Sequence, residues 1–235
     1  MRMTINFGEY VLPLCAGRHV SESEIQLLRF VGVSYFLRAN GLIATCGHIF
    51  DALGNDEVLV AQDLITQRKG KVSVVRRHPK YDFAVCYFHN RGNPKVLEHY
   101  YGESPLGLDV QAFGFTTDGA SGKDLKIIPR LFKGSVVGHS LEPAQLGSRS
   151  KLELSFPALK GFSGAPLFSI EGSLKLAGMI YGNHESTIEQ YSYTQVRSDG
   201  ERLTERVHKL VELGLAHTVA DIDQFVLDLA IPELA

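Results

Sequence analysis

Three residues of this chain have types and settings that could together break an acyl bond. Ser163 sits in GFSGAPLF (161–168), His48 follows LIATC and Gly47, and Asp82 lies in HPKYDFAVCYF (78–88). A serine hydroxyl attacks poorly until a base takes its proton, and the base works best when a third group orients it. Glycines at 161 and 164 and a proline at 166 make the serine's loop a sharply shaped entry into an apolar strand. Taken singly, each residue has an ordinary reading: a turn serine, a strand-end histidine, and an aspartate that caps a turn. Taken together, they supply a nucleophile, a base and an orienting carboxylate.

Short apolar segments with alternating or β-branched residues must position them. VGVSYFL (31–37), LIATC (42–46), VLVAQ (58–62), KVSVV (71–75) and FAVCYF (83–88) are each bounded by Gly, Asn, Asp or Pro. That spacing predicts hairpin-rich sheet closed as a barrel or packed as a sandwich, and the absence of helical crossovers argues against a doubly wound α/β fold. Asn90 to Leu108 loses the pattern and reads as an inter-domain connection. A second β series follows: VQAFGF (110–115), KIIPRLF (126–132), KLELSF (151–156), APLFSI (165–170), KLAGMIYG (175–182) and QYSYTQV (190–196). After Gly200 the spacing turns helical, with Leu203, Val207, Leu210 and Val211 on one face and Ile222, Phe225, Val226 and Leu229 on another.

In the order His48, Asp82, Ser163, the pieces TCGH (45–48), HPKYDFAV (78–85) and GFSGAP (161–166) resemble the chymotrypsin-like, or trypsin-fold, serine peptidases. The bacterial glutamyl-endopeptidase and HtrA-like branches are closer than the digestive enzymes. VQAFGF, GMIYGN (178–183) and YTQV (193–196) are weaker echoes, and the likeness spans about residues 30 to 200. It implies a mostly β fold of two six-stranded antiparallel barrels with C-terminal helices. Residues 1–100 would form the first barrel with His48 and Asp82, 101–200 the second with Ser163, and 201–235 helices packed on the second.

The resemblance also implies roles. Ser163 would attack the scissile carbonyl, His48 would act as base and then acid, and Asp82 would hold the imidazole in one tautomer. The amides of Gly161 and Ser163 would form the oxyanion hole, worth roughly 3 kcal/mol per donor. Pro157 and Ala158 would wall the specificity pocket, which lacks the acidic group that selects Arg or Lys. Tyr181, Gly182 and Asn183 match the edge that pairs with substrate, and Tyr191 falls where a bulky side chain could shorten the pocket. A small or apolar P1 residue is therefore expected, while His184 is read as a loop histidine with acidic P1 binding as its other role. Phe162 stands where the digestive branch has an aspartate, so activation by an ion pair to a new N-terminus is not expected. Cys46 and Cys86 are read as packed thiols.

With 235 residues, 44% hydrophobic, 21% charged and a net charge of −2, the chain can bury a large core and shows no electrostatic bias toward nucleic acid or anionic membranes. The basic stretch 68–80 is broken by valines and reads as a solvated strand. Neither a signal peptide nor a membrane span is expected. Three cysteines at no metal-like spacing suggest free thiols in a reducing compartment, hence a cytoplasmic protein, and no metal or organic cofactor is called for.

The expected partner is a protein or peptide substrate, with a protein activator or narrow specificity as the restraint. The segments 116–124 and 139–149 are candidate control loops. A latent protease-like module that binds a peptide by strand addition is the alternative. An α/β-hydrolase esterase with His184, His208 or His217 as base fits poorly, since Ala165 replaces the final glycine of GxSxG.

Overall fold

The computed structural model describes residues 6–21, 24–89, 94–102, 104–118, 125–141, 150–196, 199 and 201–229. Six strands, β1 (Val11–His19), β2 (Ile25–Phe36), β3 (Leu42–Thr45), β4 (Val58–Gln62), β5 (Lys69–Arg77) and β6 (Ala84–Phe88), close in the order β1-β2-β3-β6-β5-β4. Six more, β7 (Asp109–Thr117), β8 (Ile127–Leu141), β9 (Ser150–Leu154), β10 (Pro166–Ser169), β11 (Lys175–Val196) and β12 (Arg202–Thr218), close as β10-β11-β12-β9-β8-β7. Pairing of β1 with β4, and of β10 with β7, joins the ends of each sheet. This is the mostly β, two-barrel architecture that the motifs imply.

Strand β1 lies in a stretch where Pro13 obscures the pattern. Val33, opposite Pro13 on β2, donates its amide to the Ser163 carbonyl (2.9 Å), so this pair makes no use of the N–H that proline lacks. Leu12, Leu14 and Ile43 fill the first barrel, and Val110, Leu152 and Leu167 the second, in one contiguous buried cluster. Rings also cross between the barrels, with Phe7 stacked on Phe113 (centroids 4.7 Å apart).

The expectation of helix after Gly200 is corrected: Arg202–Thr218 is strand β12, and one helix, α2 (Val219–Asp228), is described at the C-terminal end. Leu203, Val207 and Val211, four residues apart, lie on one helix face but equally on one strand face, because four is also a multiple of two. The long partner decides between the two readings. The segments read as separate strands at 175–182 and 190–196 are one strand, β11, and β12 pairs with it from Gly178↔Thr218 to Val196↔Arg202.

Helix α2 starts at Thr218, whose Oγ1 accepts from the Asp221 amide (3.2 Å). Besides packing on β11 and β12, it reaches the first barrel, where Phe225 meets the rings of His78 and Phe83. Its Asp223 binds His99, Tyr101 and Arg38.

Of the two candidate control loops, 119–124 and 142–149 lie outside the described residues; Thr116 and Thr117 belong to β7 and His139 to Leu141 to β8. Among the described residues no helix is long and apolar enough to cross a membrane.

Candidate active site

Strand β3 ends at Thr45 and the one-turn helix α1 (His48–Asp51) begins three residues later, placing the His48 imidazole at the barrel rim. Asp82 precedes β6 and grips the histidine twice. Its Oδ1 accepts from the His48 amide (2.8 Å) and its Oδ2 contacts Nδ1 (2.5 Å). Burial works to raise the Asp82 carboxyl, but the hydrogen bonds from His48 outweigh it, with help from nearby His217, and hold it below its usual value. An ionised carboxylate only accepts, so Nδ1 carries the proton and Nε2 keeps a free lone pair. The hydrogen bond to Asp82 raises the His48 pKa above its ordinary value, against the opposing effect of burial.

The Ser163 loop comes from the other barrel and is clamped between the two. The Ser163 carbonyl accepts from Val33, the Gly164 amide donates to Ile180 on β11 (2.9 Å), and Thr45 Oγ1 donates to the Val33 carbonyl (2.7 Å). Gly164 has φ +86°, and a Cβ there would lie 2.0 Å from the Val33 carbonyl oxygen and 2.6 Å from Thr45 Oγ1. Only glycine lets the serine loop approach β2 and β3 this closely. Among the described residues no hydrogen bond joins Ser163 Oγ to His48.

Gly161 has φ +100°, with Phe30 and the Phe115 carbonyl against the place a Cβ would occupy. The Phe162 amide turns inward to the Leu159 carbonyl (2.8 Å), whereas among the described residues the amides of Gly161 and Ser163 donate no hydrogen bond. Two free donors flank one committed donor, the pattern needed to receive an oxyanion. Phe162 itself is fully buried, edge-on to Phe132 (5.2 Å) and beside Gly114. Apolar packing therefore anchors the loop where the digestive enzymes use an ion pair.

Around the expected specificity pocket, the Asn183 side chain clasps the Ala158 backbone, accepting from its amide (2.6 Å) and donating to its carbonyl (3.0 Å). This ties β11 to the segment carrying Pro157 and Ala158, both half-buried. At Gly182 a Cβ would meet nothing within 4 Å, so the space beside this strand is open. Tyr181 faces elsewhere, its ring stacked on His217 (4.2 Å). Tyr191 pairs with Val207, about 30 Å along β11 from Gly182 at ~3.3 Å per residue, and is 60% exposed. It does not line the pocket.

Near the pair, His217 carries no motif signal, and Cys46 belongs to TCGH as a packed thiol. His217, on β12, is buried against Tyr81, Phe83 and Tyr181. Cys46 donates its thiol to the Ile180 carbonyl (3.4 Å), and burial pushes it well above the usual thiol range. Cys46, His48 and Asp82 bring their ligand atoms within 4.8 Å of one another. As a metal centre the trio fits poorly, because the thiol stays protonated and His48 and Asp82 already satisfy each other.

The two-barrel fold with this histidine, aspartate and serine at the seam defines a class of peptidase-like proteins. The trypsin-like peptidase domain family matches residues 32–179, and the chain belongs to that family. Among solved structures it is similar to the MamO protease domain from Magnetospirillum magneticum in its apo form. That match has a TM-score of 0.58 and 15% identity, covering 93% of this chain and 96% of that one. At such identity the likeness is one of fold. No curated protein sequence matches.

Proposed function

We propose that the chain is a serine endopeptidase in which Ser163 forms an acyl-enzyme, His48 shuttles the proton, Asp82 orients His48, and the Gly161 and Ser163 amides hold the oxyanion. The observation that carries this reading is the double grip of Asp82 on His48, which leaves Nε2 as a proton acceptor at the barrel rim. Peptide would enter in extended form along the open edge at Gly182, with a small or apolar P1 side chain beside Pro157 and Ala158. A reducing compartment such as the cytoplasm fits three cysteines that are all free and buried. The branch kinship is with glutamyl-endopeptidase and HtrA-like enzymes, and an activating protein partner or narrow substrate choice restrains the site.

A second reading has one observation behind it: the His48–Ser163 hydrogen bond is not formed among the described residues. On that reading the fold is a latent peptide-binding module that uses the same open strand edge. A fluorophosphonate probe separates them. The wild type should label and Ser163→Ala should not; labelling absent under every activating condition would leave the binding module. Profiling with peptides varied at P1 tests the pocket, and a strong Arg or Lys preference would sink the apolar assignment.

A further inference from the structure

Beyond the second barrel, β11 and β12 continue as a two-stranded arm. Residues 184–196 on β11 are all exposed, giving a projection of roughly 40 Å at ~3.3 Å per residue. Directly paired residues share a face, and the faces alternate. One face carries Ile188, Tyr191, Tyr193, Leu203, Val207 and Val211, because the register shift between Glu189 and Tyr191 brings Tyr191 back to the side of Ile188. The opposite face is mainly polar, with Thr194–Thr204 and Glu189–Arg206 contacts, and its exposed apolar residues are Val196 and Leu210, far apart along it. Ile188, Tyr191, Tyr193 and Leu203 are 55%, 60%, 59% and 45% exposed. An isolated two-stranded hairpin is marginal in water, and one with an apolar face gains stability when that face is covered.

Two charges interrupt the apolar face, and their placement identifies what covers it. Glu205 and Lys209 lie two residues either side of Val207 on β12. We propose that the arm is a homodimerisation surface, in which the same face of a second copy packs antiparallel on this one about a two-fold axis at Val207. That axis sets Val207 on Val207, Glu205 opposite Lys209 twice, and Leu203 opposite Val211 twice. On β11 it sets Tyr191 on Tyr191 and Tyr193 opposite Ile188. Each of the six named apolar residues meets an apolar one and both named charges meet their opposites, without change of register.

The face is about 10 Å wide and falls at the small end of specific interfaces, so the dimer is a weak, concentration-dependent one. It stands apart from the peptidase chemistry, since neither Ser163 nor His48 is on the arm.

Sedimentation velocity of the full chain across the micromolar range tests the arrangement. Wild type should pass from monomer to dimer, and Glu205→Lys or Lys209→Glu alone should weaken association by about tenfold or more. The double exchange Glu205→Lys with Lys209→Glu should restore it, because each pair is re-formed with signs swapped. Val207→Arg should leave a monomer with unchanged circular dichroism. A wild type that stays monomeric throughout, or a dimer indifferent to the single reversals, would overturn the proposal.

Discussion

At the scale of single residues, the site is defined by what Asp82 does to His48. Its carboxylate fixes the proton on Nδ1 and raises the imidazole pKa above the ordinary 6.5. A general base must be neutral, so activity is present at high pH and lost as pH falls through that raised value. The acid limb of kcat/KM is therefore expected above 6.5. Asp82→Asn should move His48 downward, as seen by NMR titration, and cut kcat by about 10⁴-fold, because an amide can hold the wrong tautomer. An unchanged His48 titration would break the link between the two. His48, Asp82 and Ser163 were legible in the sequence because each stands in a short motif with its own turn chemistry. His217 was not, since a lone histidine in a strand carries no local mark of the aspartate it faces.

At the scale of elements, α2 is held by one buried carboxylate. Asp223 accepts from Tyr101 (2.6 Å), contacts His99 Nδ1 (2.5 Å) and lies 3.4 Å from Arg38, so it joins the C-terminal helix to the connection and the first barrel. Its burial would raise the carboxyl, but the bonds from His99 and Tyr101 prevail and lower it. Asp223→Ala should cost about 2–3 kcal/mol by leaving His99 and Tyr101 without their acceptor. At ~2–4 °C per kcal/mol, that is a fall in Tm of roughly 4–12 °C by calorimetry. No change in Tm would show that the helix is held by its apolar face alone. Elements were legible wherever the alternation was unambiguous, as at Val58–Gln62, which stands as β4 in full. They were not where a proline interrupts (β1) or where apolar residues fall four apart (β12), because such patterns satisfy more than one geometry.

At the scale of the whole molecule, the barrels meet through the serine loop. Gly164 donates to Ile180 of the second barrel while sitting against the Val33 carbonyl of the first. Gly164→Ala must push these apart, so it should lower Tm and abolish fluorophosphonate labelling together, with unfolding remaining a single transition. Retained labelling at wild-type rate would mean that the seam tolerates the shift. The residue types, the turn chemistry of GFSGAPLF and the two β series were determined by the sequence itself, because they depend on neighbours along the chain. Tertiary structure alone decided that β12 is a strand, that Tyr191 stands on an arm instead of in the pocket, and that Asp82 reaches both the amide and the ring of His48. Each of these depends on which distant strand lies alongside, and a pairing partner leaves no trace in local periodicity.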